Sequence, residues 1–376
     1  MQKYGTLINM KIEEIILNSF EIEYPLSRIR PLDEILFIDI ETTGFLSSSS
    51  SIYMIGCAFY KDSNWCIKQF FAQSPDEESS ILEAFFDFAK GFNFIIQFNG
   101  NTFDLPFIKN KAEKYGLTNT IDGLDGIDIY RRINTYKSFL KIEDCKLKTI
   151  EEYLGIQRDD IYNGGELISV YKEYVSSRDF DLYQSLILHN ADDMKGMLEV
   201  LPVLSYFDLF NTPLTATKVS ASTYQDINGI TRKELLIHIS FGSALPVPIS
   251  FMGKGCHFKA VGNTGTLIVP IYEEELKFFY ANYKDYYYLP IEDTALHKSI
   301  ATYVDKEFRE QAKASNCYTR KISSYLPQWI VLVEPFFKRE YDSTDLFFEL
   351  TDDIKSNRKL FSEYASHILN TIAFQK

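Results

Sequence analysis

From Glu34 onward, apolar and polar positions alternate in regular blocks. Ile35–Ile40 is apolar except for Asp39 and has the length and composition of a buried strand. Thr42 to Ser51 is a loop containing a five-serine run. Tyr53–Tyr60 and Trp65–Phe71 predict two further strands, joined by the polar turn Lys61-Asp-Ser-Asn64. Ser79–Ala89 places Ile81, Leu82, Phe85, Phe86 and Phe88 at helical spacing. Phe94–Phe98 reads as a strand and Phe107–Tyr115 as a helix. Three strands, a helix, a strand and a helix suit a mixed sheet covered by helices. Lys148–Leu154 is a helix stopped by Gly155, a C-cap residue. Leu167–Val175 is a second helix, and Leu182–Leu204 a long one ending near Pro202 or just after.

Residues 1–32 read as a lead-in, with Met10–Phe20 open between a short amphipathic helix and a strand-like arm. A boundary lies near Phe207–Pro213. The pattern thus predicts an α/β domain over 33–205 and a smaller α+β domain over 206–376. The second domain reads as a small antiparallel sheet: Ile237–Phe241, Val247–Met252, His257–Val261 and Thr266–Pro270. An aromatic stretch follows, with Tyr280, Tyr283, Tyr286, Tyr287 and Tyr288. Glu292–Ala314 predicts a helix, with Lys298, Lys306, Arg309 and Lys313 gathered on one face. One or two strands and a closing helix fill Tyr325–Lys376.

The chain has 376 residues and is 45% hydrophobic, enough for two domains. A net charge of −13 repels nucleic acid in bulk, so any polyanion must be held by a local basic patch or by metal ions. The five cysteines, Cys57, Cys66, Cys145, Cys256 and Cys317, form no CxxC pair, which fits a reducing compartment. No window approaches a membrane span. The expectation is a cytoplasmic protein with no membrane partner; the sequence names no protein partner.

The chemistry lies in acidic residues at strand and helix ends. Asp39 and Glu41 sit two apart on a buried strand, so both point to one face. Two carboxylates there are costly unless something positive pairs with them. Hard oxygen ligands suit Mg²⁺ or Mn²⁺. Asp104 follows the Asn99-Gly100 turn at the start of a helix. Taken alone it reads as an N-cap; beside the other acidic segments it serves as N-cap and ligand together. His189 and Asp193, four apart, share one helix face. Two metals held by Asp39, Glu41, Asp104 and Asp193, about 3.5–4 Å apart, would activate a water and stabilise a leaving oxygen. His189 is placed to take the proton of that water, though alone it reads as a core histidine. Asp128 reads more readily as structural than as a ligand, and stays a candidate for a place behind the ligands.

Taken together, Asp39-Ile-Glu41-Thr-Thr-Gly44, Asn99-Gly-Asn-Thr-Phe-Asp104-Leu-Pro106 and His189-Asn190 with Asp193 resemble the DEDD exonuclease superfamily of ribonuclease H-like folds. The YprB-like ribonuclease H-like family is the nearer match within it. Asp128-Ile-Tyr, Cys145-Lys-Leu-Lys-Thr-Ile-Glu151, and Asp160 with Gly164 and Tyr171 add secondary likeness. The resemblance covers about residues 33–205. It implies a ribonuclease H-like mixed sheet and divalent-metal-dependent 3′→5′ exonuclease activity on DNA or RNA. It selects Asp193 over Asp192, which reads as a solvated neighbour. Thr42, Thr43 and Gly44 then lie beside the scissile nucleotide, or simply form a turn. Asn99, Asn101 and Phe103 are substrate contacts or turn residues, and Lys146 and Lys148 phosphate contacts or a solvated face. The rival reading is a nuclease-like fold that no longer cuts and serves as a nucleic-acid-binding or scaffold module. Its discriminating test is metal binding.

Overall fold

In the computed structural model, which describes residues 10–157 and 164–374, six strands of the first half of the chain join one mixed sheet. They are β1 (Lys11–Leu17), β2 (Ile35–Thr42), β3 (Ile52–Lys61), β4 (Asn64–Phe71), β5 (Phe94–Gln97) and β6 (Asp125–Asp128), in the order β1-β4-β3-β2-β5-β6. β1 to β4 pair antiparallel, whereas β2, β5 and β6 run parallel. Of the two alternatives for Met10–Phe20, the strand is found: β1 pairs with β4 along its length. Asp160 lies outside the described residues.

The helices of this half are α1 (Glu78–Ala89), α2 (Asp104–Tyr115), α3 (Ile129–Asn134), α4 (Lys137–Leu140), α5 (Leu147–Leu154), α6 (Gly164–Ser177), α7 (Phe180–Glu199) and α8 (Leu204–Asn211). Strand alternation sends Leu36, Ile38 and Ile40 to one face of the sheet. There they pack with Ile55, Cys57 and Phe59 against Ile81, Leu82 and Phe85 of α1 and Phe107 and Ile108 of α2. Each such buried side chain contributes about 1.5–3 kcal/mol. On the opposite face Tyr53, Met54 and Phe71 pack against Leu167 and Tyr171 of α6 and Tyr183, Leu186 and Ile187 of α7. This is the ribonuclease H-like arrangement of a mixed sheet between helices.

Gly155 ends α5 at φ 77°, its N–H returning to the carbonyls of Glu151 and Glu152. α7 stops before Leu204. Pro202 has no N–H to continue the ladder, and Leu201–Val203 tightens to a 3-10 turn. The loop after β2 is tied down by a buried ion pair, Lys111 Nζ to Glu78 Oε1 at 3.1 Å. Glu78 also accepts the Ile52 N–H at 2.7 Å and the Tyr115 hydroxyl at 2.6 Å, and Lys111 donates to the Ser50 carbonyl.

The chain divides into two compact units, Met1–Phe207 and Asp208–Lys376, with the break inside α8. The second unit is α+β. Its strands are β7 (Thr215–Gln225), β8 (Thr231–Gly253), β9 (Cys256–Phe279), β10 (Tyr286–Leu289), β11 (Thr294–His297), β12 (Glu310–Gln311), β13 (Tyr318–Gln328), β14 (Phe336–Phe337) and β15 (Leu346–Glu349). Its helices are α9 (Lys298–Ala301), α10 (Asp352–Ser356) and α11 (Arg358–Phe374). One sheet runs β14-β15-β13-β9-β8-β7, with α11 against β7, β8 and β9; a second runs β11-β10-β12. The four short strands read from the sequence are two long ones. Pro246, Pro248 and Gly262 mark register shifts between Ser240 and Ile249, not strand ends.

The helix expected over Glu292–Ala314 does not form. Asp293 takes a positive φ of 47° and accepts from Tyr288, Tyr318 and Arg320. Only Lys298–Ala301 is α-helical there, so Lys298, Lys306, Arg309 and Lys313 share no helix face. Lys298 and Arg309 instead flank the ring of Tyr287, and Tyr280 stacks on Tyr286. All five cysteines are free and buried. Among the described residues, no helix is long and apolar enough to cross a membrane.

Candidate metal centre

β2 delivers the first two carboxylates. In the register of the sheet, Asp39 faces Gly56 and Glu41 faces Met54 of β3. Both side chains leave the strand on the face crossed by α7, which packs over β2, β3 and β4. α7 brings His189, Asn190 and Asp193 above them. Asp104 arrives from the first turn of α2. It is not the N-cap: that position is Phe103, without a side-chain cap. The Asp104 carboxylate instead accepts the Ile40 N–H at 3.0 Å, across the end of β2. Asp128 holds the preceding loop, accepting from the N–H groups of Asn99 at 3.0 Å and Asn101 at 3.1 Å while capping α3. Its charge also raises Asp104, so it stands behind the cleft as well as holding the loop.

A cleft of about 440 Å³ is lined by Asp39, Glu41, Asp104, His189 and Asp193 together with Phe98, Asn99, Phe103, Lys146, Lys148 and Met197. His189 Nε2 lies 3.6 Å from Glu41 Oε1 and 3.3 Å from Asp193 Oδ2. Not every candidate joins them. The Thr42 hydroxyl donates to the Gly44 carbonyl at 2.8 Å, and Thr43 Oγ1 accepts the Ser51 N–H at 2.9 Å, so these residues build their own turn. Asn101 accepts from Gln97 at 2.7 Å and lines a neighbouring cavity. Lys146 and Lys148 are exposed at the rim, and Lys146 pairs with Asp144 at 2.9 Å. Asp192 is not a solvated neighbour but half-buried, with one carboxylate oxygen closed to solvent.

Electrostatics mark the cleft. Burial, then the charges of Asp104, Glu41 and Asp193, raise Asp39 well above the usual carboxylate range. Burial pushes Glu41 up to about 8, with Asp193 and Asp104 adding to it and His189 opposing. Asp104 is pushed up to about 7, again chiefly by burial, against the Ile40 N–H. The Tyr53 hydroxyl is buried too, and the phenol is raised by burial and then by the Glu41 charge. These carboxylates raise one another's pKa across the cleft. Glu41, His189 and Asp193 offer donor atoms within 4.8 Å of one another. Oxygen donors of this charge, gathered on one cleft beside an imidazole, fit divalent metal ions.

Three residues of the cleft's surroundings were not assigned a role from the sequence. Asn190 Nδ2 donates to Asp39 Oδ2 at 3.1 Å. Gln69, fully buried on β4, donates to Asn190 Oδ1 at 3.0 Å. A Cβ at Gly56 would lie 2.2 Å from Asn190 Oδ1, so only glycine admits this amide. The available signals were a glutamine inside an apolar strand and a glycine in the middle of another.

Comparison with solved structures gives distant likeness. The family B DNA polymerase of the archaeon Pyrobaculum calidifontis is 19% identical, with a TM-score of 0.39, over 48% of this chain and 26% of the polymerase. E. coli exonuclease I in complex with a dT13 oligonucleotide is 11% identical, with a TM-score of 0.29, over 55% of this chain and 54% of that one. The chain therefore spans about a quarter of the polymerase and about half of the exonuclease. No curated protein matches it. Residues 36–205, the segment that holds every residue of the cleft, match the sequence model of the RNase_H superfamily.

Proposed function

We propose that residues 33–205 form a divalent-metal-dependent 3′→5′ exonuclease domain of the DEDD type, nearest its YprB-like branch, that hydrolyses phosphodiester bonds of DNA or RNA. Residues 206–376 form an accessory domain. The observation that carries this reading is the convergence of Asp39, Glu41, Asp104 and Asp193, with His189, on one cleft from three separate elements. A binding or scaffold module gains nothing from buried carboxylates that repel one another.

Asp39, Glu41, Asp104 and Asp193 would hold two ions, Mg²⁺ or Mn²⁺. When bound, such ions supply Lewis acidity to the phosphate and lower the pKa of a coordinated water. The chain's own residues do the rest. Glu41 and Asp193 hold His189 Nε2 between them in the metal-free protein. With those carboxylates turned to cations, the same nitrogen is free to accept the water proton. Asn99 and Phe103 line the cleft where a terminal nucleotide would lie, and Lys146 and Lys148 stand at its rim for the phosphates. The Ile40 N–H fixes Asp104, which keeps one ligand in place without a cation.

The test is incubation of the full chain with end-labelled single-stranded DNA and RNA, with Mn²⁺ or with EDTA. A ladder shortening from the 3′ end, abolished by EDTA, is expected. No cutting of either polymer by a protein that binds Mn²⁺ would overturn the nuclease reading, and 5′ shortening would overturn its polarity.

A further inference from the structure

A directional hydrogen-bond chain runs from the backbone to Asp39. The Ile187 carbonyl can only accept, and the partner it takes at 2.9 Å is the Gln69 side-chain amide. The Nε2 end of Gln69 therefore faces α7. Its second hydrogen goes to Asn190 at 3.0 Å, so the oxygen of Asn190 faces Gln69. The Asn190 Nδ2 group is then left to face Asp39, and it donates to Oδ2 at 3.1 Å. No other orientation of the two amides satisfies all three contacts. Gln69 and Asn190 are both fully buried, so no water competes for these bonds.

Two further features support a purpose beyond packing. Gly56, opposite Asp39 in the sheet, leaves room that any Cβ would close. Gln69 Oε1 meets no hydrogen-bond partner among the described residues. A side chain present only to fill the core would be better served by methionine, which leaves no polar atom stranded.

We propose that Gln69 is a positioning residue for the metal centre. It sets the polarity of Asn190, so that Asp39 always meets a donor at Oδ2 and keeps Oδ1 for a cation. This inference rests on the assignment of Asp39 as a ligand. Gln69→Glu keeps the shape but, even protonated, can donate to only one of Ile187 and Asn190, and ionised to neither. Asn190 should then turn its oxygen to Asp39. Gln69→Met removes the polarity without reversing it. Gly56→Ala displaces the Asn190 amide by another route.

The experiment measures Mn²⁺ affinity of the full chain by calorimetry at pH 8, beside the melting temperature of each metal-free variant. Outer partners of metal ligands contribute typically about 10–100-fold in affinity. Gln69→Glu should weaken Mn²⁺ binding at least about tenfold on that scale, Gln69→Met less, and Gly56→Ala should weaken it as well. Should Gln69→Glu fail to fold, Gln69→Met decides: an affinity within twofold of wild type overturns the proposal. Lowered melting temperatures with unchanged affinity, or Gln69→Met weaker than Gln69→Glu, also overturn it. A wild-type chain that binds no Mn²⁺ would instead sink the metal-centre reading itself.

Discussion

Asp104→Asn separates the stability of the cleft from its chemistry. Asp104 is 5% exposed, and its carboxyl is pushed from 3.8 to about 7. A carboxylate raised in the folded state stabilises the fold in its protonated form below the unfolded value. That contribution is lost as pH climbs through the folded value. At pH 8 the loss is complete in the metal-free protein. About three decades at 1.36 kcal/mol each set its scale, on the order of 4 kcal/mol. Asparagine keeps the oxygen that accepts the Ile40 N–H and removes the charge. The metal-free variant should therefore melt higher than wild type at pH 8. At roughly 2–4 °C per kcal/mol for a unit of this size, a rise of at least about 4 °C is expected. The gain should shrink toward pH 4. Activity should vanish, and Mn²⁺ should no longer raise the melting temperature as it does for wild type. Calorimetry with and without Mn²⁺, together with the nuclease assay, checks all three. A variant that is less stable at pH 8, or that still cuts and still gains stability from Mn²⁺, would refute the argument.

His189→Ala should lower turnover by about 10²–10⁴-fold with little change in KM; a pH–rate profile and turnover like those of wild type would mark His189 as a core histidine. Mn²⁺ affinity should rise from pH 6 to pH 8, because protons held by Asp104 near 7 and Glu41 near 8 must leave. Calorimetry at pH 6.5 in two buffers of different ionisation heat should register that release, and none would contradict the ligand assignments. Lys111→Met leaves the buried Glu78 carboxylate with only the exposed Lys114 ammonium at 3.7 Å as its cation and should cost about 3 kcal/mol by urea unfolding. Adding Glu78→Gln should recover most of it, and an unaltered midpoint in the single variant would remove the pair from the account of the loop.

That these residues would share one cleft was legible because the signals are local in the sequence. Asp39 and Glu41 contradict their own strand, and His189 and Asp193 declare a shared helix face at i and i+4. The structure adds what no spacing carries: which strand lies across from which. Gln69 and Asn190 are 121 residues apart and meet only because β3 places β4 under α7. Asp104 looked like an N-cap because an aspartate at a helix start usually is one, yet its carboxylate takes the Ile40 N–H on another element. In the second unit the reading failed where local signals mislead. Pro248 and Gly262 punctuate bulges inside unbroken strands, and the apolar spacing of Ile300, Val304 and Phe308 yielded to the Asp293 contacts with Tyr288, Tyr318 and Arg320.

β2 has consequences for how such a chain can vary. Toward its end Asp39 and Glu41 face the cleft while Leu36, Ile38 and Ile40 pack in the core, so one short stretch writes two texts at once. Inserting or deleting one residue between Ile35 and Glu41 would exchange the two, burying carboxylates among Ile81 and Phe85 and turning isoleucines to the cleft. Substitution can tune either side alone, but length cannot change at all. Variation in length belongs to the serine-rich loop that follows, whose far end is fastened by Lys111 and Glu78.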